Sequence, residues 1–108
     1  MGKVVYHKLV RDRIPEIIEA SGKKCTCRIL SDSEYLEMLD EKLNEELAEY
    51  QKSKSLEELA DLMEVIHAVI RACGSTFEEV EIIRQEKARK RGRFEKKILL
   101  EEVNEGEQ

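Results

Sequence analysis

Apolar residues recur along much of this chain at three- and four-residue intervals, the spacing of one face of an α-helix. Leu36, Leu39, Leu43, Leu47 and Tyr50 form one such series. Leu59, Leu62, Met63, Ile66, Val69, Ile70 and Cys73 form the next. Between them Gln51-Lys52-Ser53-Lys54 offers nothing apolar to bury. So short a polar turn predicts two antiparallel, neighbouring helices. Ser31-Asp32-Ser33-Glu34 reads as a capping box that opens the first of the pair, and Ser55-Leu56-Glu57-Glu58 as the box that opens the second. Gly74 reads as the C′ residue that closes the second.

Two shorter helices are expected outside this hairpin. Ile14, Ile17, Ile18 and Ala20 form the apolar side of the first, with Asp12 as its N-cap, Pro15 in its first turn and Gly22 as C′. The last runs from about Phe77 to Arg91, with Val80, Ile83 and Lys87 on one side and Ser75-Thr76-Phe77-Glu78 as another capping box. Lys24 to Leu30 alternates as a short strand would, with Cys25, Cys27 and Ile29 on one face. A lone strand needs a partner, and the candidate is the C-terminal segment from Phe94 to Val103, after a break at Gly92. Residues 1–104 read as a single domain, and residues 105–108 as a frayed tail.

The carboxylates give the hairpin its chemistry. Glu45, Glu46 and Glu49 converge through i,i+3 and i,i+4 spacing beside the apolar seam of one helix. Glu58 and Asp61 lie beside the seam of the other. Carboxylates facing each other across a seam repel unless a cation sits between them. Mg²⁺ suits such a place, because it takes carboxylate oxygens and keeps waters that a phosphate can replace. A plainer explanation stands beside this one. The chain has 24 Asp and Glu in 108 residues, so solvated helix faces plus a cap would produce the same clusters.

Basic residues gather at two places. Lys8 and Arg11 lie just before the first helix, as surface charge or as a phosphate clamp near a helix N-terminus. Lys87, Lys90 and Arg91 crowd the end of the last helix with Arg89. The macrodipole favours cations there and accounts for part of the group. The remainder is available for a phosphate-rich ligand.

Composition narrows the rest. Hydrophobic residues make up 41% and aromatics only 5%, so the core is aliphatic and, at this length, modest. Wide apolar stripes on small helices favour a homodimer or homotetramer. The net charge of −5 argues against a nucleic-acid partner. No apolar run reaches membrane-spanning length and no signal peptide is visible, so a cytoplasmic location is expected. A structural zinc needs about four ligands, and the sequence offers only Cys73 and two distant histidines beside Cys25 and Cys27, so the cysteines read better as buried reduced thiols. His67 reads as a surface or oligomer-contact residue, and no nucleophile constellation or Walker-type loop is present.

Glu45-Glu46-x-x-Glu49 followed by Glu58-x-x-Asp61 resembles the EExxE…ExxD signature of the all-α nucleotide pyrophosphohydrolases, the superfamily of MazG-like enzymes and phosphoribosyl-ATP pyrophosphohydrolase. The stretch Tyr6 to Ile18, and Lys87 to Phe94 followed by Glu102-Val103, are similar to the two ends of its house-cleaning noncanonical NTP pyrophosphatase branch. Two departures are the short gap between the acidic halves and Gly92-Arg93 where that branch shows Gly-Gly. The resemblance implies an all-α, four-helix, MazG-like antiparallel bundle. It implies Mg²⁺-dependent cleavage of a nucleoside triphosphate between the α- and β-phosphates, with Mn²⁺ as a substitute ion. Glu45, Glu46, Glu49, Glu58 and Asp61 would then be metal ligands, and Glu45 or Glu46 the general base. Lys8, Arg11, Lys87, Lys90 and Arg91 would meet phosphate. The alternatives are phosphoribosyl-ATP pyrophosphohydrolase of histidine biosynthesis and a non-catalytic helical oligomerisation module.

Overall fold

A computed structural model describes residues 2–106. They form four α-helices: α1 (Ile14–Ala20), α2 (Asp32–Ser53), α3 (Leu56–Ala72) and α4 (Phe77–Arg91). The chain divides into two compact units, one ending at Phe77 and the other beginning at Glu78.

The first unit is organised on the hairpin of α2 and α3, which pack along each other. The α2 N-terminus carries the full capping box: Glu34 N–H donates to Ser31 Oγ at 3.2 Å, and Ser31 N–H donates to the Glu34 carboxylate at 3.2 Å. Arg28 braces the same carboxylate at 2.9 Å. The Arg28 hydrogen bond, with those from Ser31, pulls the Glu34 carboxyl down to about 2.

The turn is tighter than the four-residue stretch expected from the sequence. The α2 helix runs on through Ser53, leaving only Lys54 and Ser55 as the link. Lys54 takes a left-handed conformation, φ 56° and ψ 27°, and its N–H donates to the Tyr50 carbonyl. A lysine is strained there, and its ammonium group rests 5.2 Å over the Tyr50 ring. Both α1 and α3 end in Schellman motifs. Lys23 N–H donates to the Ile18 carbonyl and Ser75 N–H to that of Ile70, with Gly22 (φ 93°) and Gly74 (φ 82°) as the left-handed C′ residues.

The core is small. Leu39 from α2 and Val65 and Ile70 from α3 are the buried hydrophobic residues among those described, and Leu39 is 2% exposed. Leu36, Leu47, Met63 and Ile66 stay open to solvent beside them.

Several expectations are corrected. Among the described residues no β-strand occurs, so neither Lys24–Leu30 nor the C-terminal segment forms the small β element. A strand exists only where a neighbour takes up its ladder hydrogen bonds. Arg13, not Asp12, precedes α1, and no side chain caps it. The α4 helix begins at Phe77, one residue too late for Ser75 to be its N-cap. Of the tail expected over residues 105–108, Glu105 and Gly106 lie outside any helix, and residues 107 and 108 lie outside the described residues. The cysteines are not buried: Cys25 is half-buried, and Cys27 and Cys73 are exposed. His67 is half-buried and stacks on Phe77, with ring centroids 4.5 Å apart and planes 6° from parallel.

In the second unit, Gly92 (φ 85°) ends α4, its N–H donating to the Ala88 carbonyl. Residues 92–106 then continue without helix or strand. No helix among the described residues is long and apolar enough to cross a membrane.

Leu39→Ala should cost about 3 kcal/mol in urea denaturation, the usual loss for a fully buried leucine. Leu36→Ala, at a 42% exposed position of the same helix, should cost well under half as much in the monomer.

Candidate metal centre

The hairpin brings three of the five expected acids together. One carboxylate oxygen from each of Glu46, Glu58 and Asp61 lies within 4.8 Å of the others, and all three side chains are half-buried. Glu46 comes from α2, one helical turn after Lys42, while Glu58 and Asp61 come from the first two turns of α3. Glu45 and Glu49 are not part of this trio. Glu45 faces Lys8 and Lys42 at 3.2 and 3.5 Å. Glu49 is exposed, near enough for its charge to act on Glu58.

Half a capping box explains why Glu58 is free to join. Ser55 Oγ accepts from the Glu58 N–H at 3.2 Å, as expected of an N-cap. The return bond, from Ser55 N–H to the Glu58 carboxylate, is replaced. Ser55 N–H instead donates to Ser53 Oγ at 3.2 Å. With Ser53 satisfying that donor, the Glu58 side chain turns to the other acids. The cost appears in its acidity. Burial, then the charges of Asp61, Glu49, Glu46 and Glu57, push the Glu58 carboxyl above its ordinary 4.5.

Three cations approach from outside the trio. Arg11 donates to Asp61 at 2.8 Å, and Lys8 to Glu45 at 3.2 Å. Both lie in the irregular segment before α1, so two of the five expected phosphate-binding residues do reach the acidic hairpin. Lys42 lies 3.7 Å from Glu46 and was not singled out in the sequence. Its i,i+3 and i,i+4 spacing to Glu45 and Glu46 was the signal. Partial burial pushes the Glu45 carboxyl up, but the Lys8 hydrogen bond and the Lys42 and Lys8 charges outweigh it and hold Glu45 below 4.5.

The other three expected phosphate ligands, Lys87, Lys90 and Arg91, belong to the second unit. There Lys90 pairs with Glu86 at 3.7 Å, and all three line a shallow surface cleft with Ile82 and Ile83.

The donor set fits a hard divalent cation. Three carboxylates of like charge converge, and the Glu58 carboxylate has neither a hydrogen bond nor an ion pair to a described residue to offset the repulsion. Oxygens on opposite sides of one Mg²⁺ stand about 4.2 Å apart, so small side-chain rotations would close the group onto an ion.

Comparison with known proteins adds little to this geometry. No protein-family model matches the chain. It is 62% identical over 42 residues to a protein of Mycolicibacterium smegmatis (strain ATCC 700084 / mc(2)155) described as an uncharacterized protein. The match covers 39% of this chain and 43% of that protein's length. No solved structure matches.

A carboxyl whose folded pKa is raised binds protons more tightly in the folded state, so it costs stability as pH climbs from 4.5 through the folded value. In divalent-free buffer, Glu58→Gln should therefore raise the melting temperature at about pH 7 and leave it unchanged at about pH 3. A pH series of thermal melts reads both. Added Mg²⁺ should then raise the melting temperature of the wild type and not that of Glu58→Gln.

Proposed function

We propose that the chain is a Mg²⁺-dependent nucleoside triphosphate pyrophosphohydrolase that releases a monophosphate and pyrophosphate. The observation that carries this reading is the meeting of Glu46, Glu58 and Asp61 across the hairpin. It is supported by the resemblance of Glu45-Glu46-x-x-Glu49 and Glu58-x-x-Asp61 to the pyrophosphohydrolase signature. Glu46, Glu58 and Asp61 would hold the ion, with Glu45 and Glu49 at its margin. Bound there, Mg²⁺ would neutralise phosphate charge and acidify a coordinated water.

The protein's own groups divide the remaining work. Glu45 or Glu46 is the proposed proton acceptor. Glu45 lies outside the trio that would hold the ion, and its lysine partners keep it ionised and able to accept. Arg11 and Lys8 are half-exposed and sit on acids at the centre. An incoming triphosphate offers them more charge than the carboxylates they hold, and they would steady the departing pyrophosphate. Lys87, Lys90 and Arg91 are proposed as further phosphate contacts.

The finer architecture belongs to the same proposal: a four-helix MazG-like bundle, completed in a homodimer or homotetramer in the cytoplasm. The small core and the exposed Leu36, Leu47, Met63 and Ile66 support a partner of the same kind.

Pyrophosphate release from a panel of canonical and modified triphosphates and phosphoribosyl-ATP, with and without Mg²⁺, tests the activity. Turnover should need the ion, and Glu46→Ala and Asp61→Ala should lower kcat/KM by roughly 100-fold or more, on the scale of losing a positioned electrostatic group. Inactivity against the whole panel would leave the helical oligomerisation module in its place. Arg11→Ala should raise KM for the triphosphate while preserving the Mg²⁺-induced rise in melting temperature. Loss of that rise would make Arg11 structural instead.

A further inference from the structure

Beyond α1 the chain passes through Lys24-Cys25-Thr26-Cys27-Arg28 without joining a ladder. Cys25 and Cys27 turn to the same side, and their sulfurs lie 4.0 Å apart, with Cys27 Sγ–H donating to Cys25 Sγ. Cys25 Sγ–H donates in turn to the Pro15 carbonyl of α1 at 3.8 Å. Neither thiol belongs to the acidic centre. Paired thiols in contact, one of them open to solvent, have the arrangement of an attacking and a resolving cysteine.

We infer that Cys25 and Cys27 form a redox-active dithiol, which a peroxide converts reversibly into an intrachain disulfide. At the rise of a β-strand residues i and i+2 stand roughly 6.6 Å apart at Cα, and a less extended path brings them closer, inside the span that a disulfide bridges. The sulfurs must close from 4.0 Å to about 2.05 Å. The absence of ladder hydrogen bonds in residues 24–30 leaves the backbone free to bend that far.

Exposure makes Cys27 the attacking group. Its thiolate sulfur bonds to one peroxide oxygen, the O–O bond breaks, and the second oxygen takes a proton and leaves as water. The sulfur is now a sulfenic acid. Cys25 sulfur attacks it, the S–S bond forms, the S–O bond breaks, and the hydroxide takes the Cys25 proton and leaves as a second water. Two electrons pass from the sulfurs to the peroxide. Cys25 suits the resolving role: burial, then Cys27 and Glu19, hold its thiol above the ordinary 9.0 and keep it protonated until the second step. Once oxidised, Cys25 has no S–H left for Pro15, and the segment loses that tie to α1.

The test uses the full chain, reduced and then exposed to hydrogen peroxide, alkylated under denaturing conditions and digested with trypsin. Cleavage after Lys24 and Arg28 isolates the two thiols on one short peptide. Alkylation of Cys25 and Cys27 should disappear in parallel, the peptide should be lighter by two hydrogens, and dithiothreitol should restore both thiols. Cys73, exposed and without a cysteine two residues away, is the internal reference and should react more slowly. Cys27→Ser should abolish the fast loss at Cys25, and far-UV circular dichroism should be unchanged. Independent loss of Cys25 and Cys27 at the Cys73 rate would overturn the inference. So would a peptide carrying added oxygen that dithiothreitol does not remove, or a disulfide formed between chains.

Discussion

Glu46, Glu58 and Asp61 carry one sign of charge, and two rigid helices hold them within 4.8 Å of each other. That enforced proximity is the constraint from which the rest of the first unit follows. Helices do not yield by bending at such a point, and the repulsion is relieved by protonation, by neighbouring cations or by a bound ion. The first two are visible. Glu58 is driven toward the protonated form, and Lys42, Lys8 and Arg11 pair with Glu46, Glu45 and Asp61. The third is the proposed function.

The segment before α1 has no regular structure, yet it is attached to the hairpin by Lys8 on Glu45 and Arg11 on Asp61. Pairs as open as these add little stability. Their value lies in placement. They bring exposed cationic side chains to the edge of an acidic site, where in the proposed function a polyphosphate would compete for them. An acid-only centre would repel that substrate until an ion arrived. With lysine and arginine already present, the local field is closer to neutral.

Much of the first unit could be read from residue spacing. The leucine series of α2 and α3 fixed the hairpin, and its direction followed from the short polar link. The serine of each box and the glycines at 22 and 74 gave several helix ends to within a residue or two, because caps satisfy specific orphan groups. Spacing failed where the outcome depends on a competitor. Ser53 displaces Glu58 from the N–H of Ser55, and no pattern announces which oxygen wins. Lys24–Leu30 alternates like a strand, but alternation cannot supply a neighbour. Spacing put five acids on the facing sides of two helices, and three of them, Glu46, Glu58 and Asp61, meet. Periodicity did not say that Lys8 and Lys42 would pair with Glu45 and that Glu49 would stay exposed, leaving three acids within 4.8 Å of one another.

The two-residue link at Lys54 and Ser55 also sets what the hairpin can tolerate over evolutionary time. Each residue gained or lost within the last turn of α2 would rotate everything before it by about 100° relative to α3, given 3.6 residues per turn. Glu46 would then swing away from Glu58 while both helices stayed intact. Insertions and deletions at this corner are therefore filtered by phase rather than by folding.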